Sequence, residues 1–347
     1  MMNKRLACID LLRGAAILIM ILANSSPYLL SPPYPFLYRM ISSLAAPVFL
    51  FLSGYSLAYT FHHKNDTWNK ITQGLYLLLS AALLDALVWH ICPFQTFDVL
   101  YCIGAGILIN IFLIRIPSLW SAALIVLLFL ALWIIQPYLH YRMDMPETPI
   151  AMIFSDHPLT AMKVDIGRIF VDGWFPLFPW LIFPVSGALL FRWQTRFIKY
   201  RSRIIWISGL LALVSFFPFY FLKSDQPLRK DYVELFYSPD ISYVFFAISI
   251  VLFLFSVLYG DKAYNKPVLD QLRLSGRHSL FVYLLHAVII SYIFQPFFPQ
   301  TTPLFFSLIM FVFWGVLSMA AQYAESLKRQ QKLNFIPEPL RRLVGLL

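Results

Sequence analysis

The 347-residue chain is 60% apolar and only 13% charged, which leaves too little polar surface to coat a water-soluble globule. Its 33 Phe, 19 Tyr and 9 Trp exclude a disordered chain, and no series of alternating ten-residue segments suggests an outer-membrane barrel. The net charge of +10 would suggest nucleic acid in a soluble protein; here it reads as basic loops sorted to one side of a bilayer and meeting anionic lipid, with no nucleic-acid partner.

A hydrocarbon core of ~30 Å takes about 20 residues per helical crossing. Ten apolar stretches are long enough: 14–30, 41–61, 71–92, 98–114, 119–137, 174–191, 204–222, 241–260, 278–294 and 303–324. The predicted fold is therefore all-α, a polytopic integral membrane helix bundle of about ten transmembrane helices over 1–324, followed by a basic tail over 325–347. The first stretch is not expected to be a cleavable signal peptide, because Asp10 and Arg13 interrupt it and no small-residue cleavage site follows. Ten crossings put both ends of the chain on one face. Seven basic residues (Arg39, Arg142, Lys163, Arg168, Lys223, Arg229, Lys230) fall on the other face and the remaining twenty of the 27 on the face of the termini. By the positive-inside rule the termini are expected in the cytoplasm, and the expected location is a bacterial inner membrane. An oligomer is left open.

Polar groups inside a span are costly, so they mark where chemistry could lie. In the first helix Asp10 and Arg13 are three apart and can pair on one face. Eleven residues after Arg13, close to three whole turns and ~16 Å along the axis, Asn24 returns to that face. A snorkelling Arg with a packing Asn is the plainer reading of the same residues. The second span, from Ala45 through Pro47, Ser53 and Gly54 to Ser56, carries small residues that signify close helix packing. Asp85 and His90 in the third span and Asn110 in the fourth are further polar candidates.

The three cysteines, Cys8, Cys92 and Cys102, lack zinc spacing; a Cys92–Cys102 bridge or inert buried thiols are the alternatives. The long connection 138–173, with Asp144, Glu147, Asp156, Asp165 and Asp172, is either a lid or acceptor-binding surface or a plain solvated connector. The sixth span opens on the aromatic, proline-rich stretch Phe175–Trp180, the usual look of an interfacial anchor. Before the ninth span, Ser275 or Ser279 could cap the helix start, so that Arg277 and the first free amides make an anion site. His286 lies about two turns deeper and can relay a proton, bind a ligand or simply bond a neighbour. The tail after Glu325 reads as a membrane-surface segment.

Five motifs then follow one another along the chain. They are R-x-x-x-x-D-x-x-R-G-x-A from Arg5 to Ala16, P-x-F-x-F-L-x-G from Pro47 to Gly54, D-V-L-x-x-I-G from Asp98 to Gly104, F-P-L-x-P-W from Phe175 to Trp180, and L-x-G-x-x-S-L-x-x-Y-x-x-H from Leu274 to His286. Together they resemble the heparan-α-glucosaminide N-acetyltransferase catalytic family, within the wider group of transmembrane acyltransferases. The resemblance implies transfer of an acyl group, typically acetyl, from cytoplasmic acetyl-CoA or another acyl-CoA to a sugar hydroxyl or amine across the membrane.

It also implies that Arg13 and Arg277, with Asp10 and Ser275 beside them, hold the CoA end, and that Asn24 holds the acyl donor. Many relatives in the wider group carry a catalytic His eleven residues after the Arg; here that position is Asn24. The heparan-type enzyme is expected to carry a His shortly after the Asn, and residues 25–46 contain none. The base is then sought in His286 or Asp165, because an amide cannot remove a proton. The competing reading is a non-catalytic transporter or a glycan- or lipid-binding protein on the same scaffold.

Overall fold

The computed structural model describes residues 7–64, 66–139, 141, 147–154, 166–237, 239–260, 267–333 and 336–346. In chain order the helices are α1 (Ala7–Leu29), α2 (Phe36–Ser42), α3 (Ala45–Lys64), α4 (Thr67–Leu84), α5 (Val99–Arg115), α6 (Ser118–Ile135), α7 (Ile182–Arg192), α8 (Gln194–Lys223), α9 (Ile241–Leu258), α10 (Pro267–Arg277), α11 (Ser279–Ile289), α12 (Pro303–Arg329) and α13 (Glu338–Leu343). A π-helical turn, Asp85–Trp89, prolongs α4, and a second, Ile290–Phe294, prolongs α11.

Nine helical runs among the described residues are long and apolar enough to cross a bilayer, and α5 is a shorter apolar helix of 17 residues. At ~1.5 Å per residue α5 is about 25 Å long. Asp98 fixes its start by accepting the Val99 N–H at 2.6 Å, and Pro117 soon follows its end. The predicted polytopic bundle is present, with each of the ten apolar stretches in a helix. Where the sequence places the start of the first span at residue 14, the described helix already runs from Ala7 and includes Asp10 and Arg13. α6 and α8 leave most of their length uncovered, with Trp133, Trp206 and Phe221 exposed; such apolar surface is soluble only in lipid.

The chain divides into two compact units. One comprises 1–48, 231–234 and 252–347, the other 49–230 and 235–251. Each is built on a reciprocal glycine crossing. In the first unit a Cβ on Gly14 would lie 1.8 Å from the Leu272 carbonyl oxygen, and one on Gly276 would lie 1.9 Å from that of Asp10, so α1 and α10 touch backbone to backbone. In the second, a Cβ on Gly54 would lie 1.8 Å from the Pro184 oxygen and one on Gly187 would lie 1.9 Å from that of Phe51, which joins α3 and α7 in the same way. Lipid tails are as apolar as leucine, so close van der Waals approach of small residues supplies much of what holds such helices together. The packing role expected of the second span's small residues is met at Gly54.

The second unit also holds a stretch of irregular backbone between α4 and α5. His90, Phe94 and Phe97 all have positive φ, at 57°, 66° and 45°, which costs energy and persists only where the surroundings fix it. Here the surroundings are other loops. Cys92 N donates to Thr148 O at 2.8 Å, Ile150 N to His90 O at 2.9 Å, Trp174 N to Thr96 O at 2.8 Å and Phe175 N to Phe97 O at 3.0 Å. Arg168 Nη1 donates to Gln95 O at 2.7 Å. Within the 138–173 connection, residues 148 and 150 are tied to the 90–92 stretch by these hydrogen bonds. Cys8, Cys92 and Cys102 are buried free thiols, so the Cys92–Cys102 bridge is not formed.

Alanine at Gly14 or Gly54 must force two helices apart, an overpacking cost of about 1–3 kcal/mol, whereas nothing lies within 4 Å of a Cβ on Gly315 in α12. Thermal unfolding in detergent is expected to show Gly14→Ala and Gly54→Ala lowering the midpoint by several degrees, with Gly315→Ala neutral or stabilising.

Candidate functional site

The polar residues singled out in the first and ninth spans meet in the first unit. α1 carries Asp10, Arg13 and Asn24; α10 carries Ser275 and Arg277; α11 carries His286. The Gly14–Gly276 contact lets α1 run against α10 closely enough for short side chains to reach across. Two bridges result, like rungs between parallel rails. On the first, Arg277 Nε donates to Asp10 Oδ2 at 3.3 Å, with Asp10 1% exposed and the arginine about a third exposed. On the second, Asn24 Nδ2 lies 3.1 Å from His286 Nε2. The rungs are 14 residues apart on α1, roughly 21 Å by helical rise.

The second rung fixes a proton. His286 Nδ1 faces the Tyr283 carbonyl, which can only accept, so Nδ1 carries the hydrogen. Nε2 is then the ring's lone pair, and the Asn24 amide N–H donates to it. His286 is fully buried, while Asn24 is half-buried. The site therefore offers an imidazole whose one lone-pair nitrogen is bonded to the Asn24 amide. Nearby on α1, Ser26 Oγ and Tyr38 Oη are 2.5 Å apart and both reach the Leu22 carbonyl, at 2.8 and 3.0 Å.

One sequence expectation changes. The residues before Ser279 are the last turn of α10, and His278 N donates to Leu274 O at 3.2 Å. The start of α11 has no side-chain cap, so neither Ser275 nor Ser279 caps it. Ser275 is buried in α10 instead. Arg13 is half-buried on α1, one turn from Asp10. Asp165 lies outside the described residues, as do Asp144 and Asp156.

In the second unit Asp85, also 1% exposed, accepts from Tyr101 Oη at 2.7 Å and from Thr96 Oγ1 at 3.2 Å, while Tyr101 Oη accepts the Phe94 N–H at 3.0 Å. This carboxylate anchors the irregular 90–97 stretch. Asn110 Nδ2 donates to the Gly106 carbonyl of its own helix at 2.8 Å. Three buried arginines among the described residues, Arg39, Arg168 and Arg229, were treated in the sequence only as charges to be counted. Arg39, in the first unit, donates Nε to Val233 O at 2.9 Å. Arg229, in the second, pairs with Asp172 at 3.4 Å and lies over the Trp174 and Tyr237 rings at 5.0 and 5.5 Å; burial pulls its guanidinium below the ordinary value. Nothing in the local pattern distinguishes them from exposed loop arginines.

The Asn24–His286 contact is open to a double-mutant cycle read by thermal unfolding. Asn24→Ala and His286→Ala are each expected to destabilise, and the double variant to fall short of their sum by about 1 kcal/mol; strict additivity would show that the two side chains do not interact.

Against known proteins, the acyltransferase domain family matches residues 6–321, a range that takes in both rungs and the two glycine crossings. No curated protein matches the chain. With nine helices among the described residues long and apolar enough to span a bilayer, and a match over nearly its whole length, the chain belongs to the acyltransferase domain family, as an integral, multi-pass membrane acyltransferase.

Proposed function

We propose that the protein moves an acyl group, acetyl in the first instance, from cytoplasmic acyl-CoA to a sugar hydroxyl or amine on the opposite side of the membrane, in the manner of the heparan-α-glucosaminide type. The observation that carries this reading is the pairing of Asn24 with His286, which supplies a basic nitrogen although residues 25–46 contain no His. The Asp10–Arg277 rung supports it, because it sets a partly exposed guanidinium at one end of the same two rails, where a charged donor head would be met. Both ends of the chain are then cytoplasmic, in a bacterial inner membrane, with anionic lipid around the basic loops.

In this reading Arg13 and Arg277 bind the CoA phosphates, Asp10 holds Arg277 in place, and Ser275 lines the same turn. Asn24 directs an amide N–H toward the thioester oxygen, where negative charge develops. As the amide turns to the substrate it uncovers His286 Nε2, which takes the proton from the acceptor hydroxyl. The acceptor oxygen attacks the thioester carbon, the C–S bond breaks, and the departing sulfur takes up the proton from the imidazolium. Tyr283, whose carbonyl accepts the Nδ1 hydrogen, steadies the ring in its charged form.

Purified protein in nanodiscs, given acetyl-CoA and a sugar acceptor, is expected to release free CoA and acylated sugar. His286→Ala is expected to lower kcat by about a hundredfold or more, and Asn24→Ala to lower kcat by a comparable factor. Acetyl-CoA that is neither bound nor consumed would count against the donor and favour a non-catalytic membrane protein on the same scaffold. Full turnover by His286→Ala would remove this residue as the base while leaving the reaction standing.

A further inference from the structure

The basic segment after α12 reads in the sequence as a strip lying on the membrane surface, but in the first unit it is folded onto the site's own helices. α13 ends in a Schellman turn: Leu346 N donates to Arg341 O at 2.8 Å and Gly345 N to Arg342 O at 3.3 Å, the pairing that closes a helix on a left-handed residue. Gly345 supplies that conformation with φ +74°, and it also sits hard against the first turn of α11. A Cβ at Gly345 would lie 2.6 Å from Phe281 N and 2.8 Å from Leu280 Cβ. Glycine is thus needed twice, once for the turn and once for the seat. Residues 341–346 are accordingly half-buried, while 337–340 stay exposed.

The seat is four residues along the chain from Arg277, just past the α10–α11 junction at His278. The docked turn therefore brings the backbone of Arg341 and Arg342 to the junction that bears Arg277. Glu338 orients Arg342, accepting from Nε at 2.9 Å and from Nη2 at 2.6 Å. A guanidinium carries donors in a rigid fork that matches phosphate oxygens, and the contacts to Glu338 fix its direction.

We propose that the docked 336–346 segment forms a wall of the donor site and that Arg341 and Arg342 recognise the phosphate groups of acyl-CoA alongside Arg277. This rests on the reading of acyl-CoA as the donor. A phospholipid headgroup offers the same phosphate chemistry, and the choice of lipid separates the two sources.

The test uses the full chain in nanodiscs of neutral or of anionic lipid, with acetyl-CoA KM and kcat and calorimetric binding of free CoA as readouts. The variants are the double substitution Arg341→Gln with Arg342→Gln, and Gly345→Val. Both are expected to raise the acetyl-CoA KM and weaken CoA binding about tenfold, roughly 1.4 kcal/mol, with kcat kept, in both lipids. Should Gly345→Val fail to fold, the arginine pair still decides the matter, because its side chains are half-exposed. An unchanged KM in the arginine variant overturns the proposal. A change confined to anionic nanodiscs assigns the arginines to lipid and overturns it too. Wild-type protein that neither binds CoA nor consumes acetyl-CoA takes down the donor reading itself, and this inference with it.

Discussion

A polar group within ~30 Å of hydrocarbon has no water to bind, so each one must find its partner in the protein or leave the span. That requirement organises both units. Asp10 meets Arg277, Asn24 meets His286, Asp85 meets Tyr101 and Thr96, and Lys223 pairs with Asp240 at 2.8 Å. The backbone obeys the same rule. Where residues 90–97 leave helical geometry, their carbonyls are taken by amides of residues 150, 174 and 175 and by the Arg168 guanidinium.

Meeting that requirement with short side chains needs helices that nearly touch. An aspartate reaches only a few ångströms from its backbone, and the Gly14–Gly276 contact removes the side-chain layer that would otherwise hold Asp10 on α1 away from α10. The glycines set the spacing, the spacing permits the rungs, and the rungs hold the groups to which we assign chemistry. A substitution at Gly276 thus reaches the proposed donor site without touching it.

Much of this was legible in the sequence. Ten apolar stretches predicted the helices, because hydropathy alone separates lipid-facing from water-facing chain. The common face of Asp10, Arg13 and Asn24 follows from helical geometry, and His286 was singled out by its depth in a span. What the sequence could not show was which of these residues touch, since Asn24 and His286 are 262 residues apart and no local pattern encodes such a contact. The cap expected at Ser275 or Ser279 misled for a related reason. Ser, Gly, Arg and His look like a cap before a helix, yet Leu274–Arg277 continue α10 and α11 starts at Ser279 without a side-chain cap. Arg39 and Arg229 escaped because burial, not residue type, makes them unusual.

The separation of partners along the chain bears on how the protein is made. Asp10 and Arg277 are 267 residues apart. At a synthesis rate of roughly 5–20 residues per second, the ribosome needs about 13 to 53 s to cover that interval. For that period α1 is in place while α10 and α11 do not yet exist, so an aspartate and an asparagine wait without their eventual partners. Asp10 and Asn24 are thus partnered late in synthesis, although α1 can already pack on α2 through Ser26 and Tyr38.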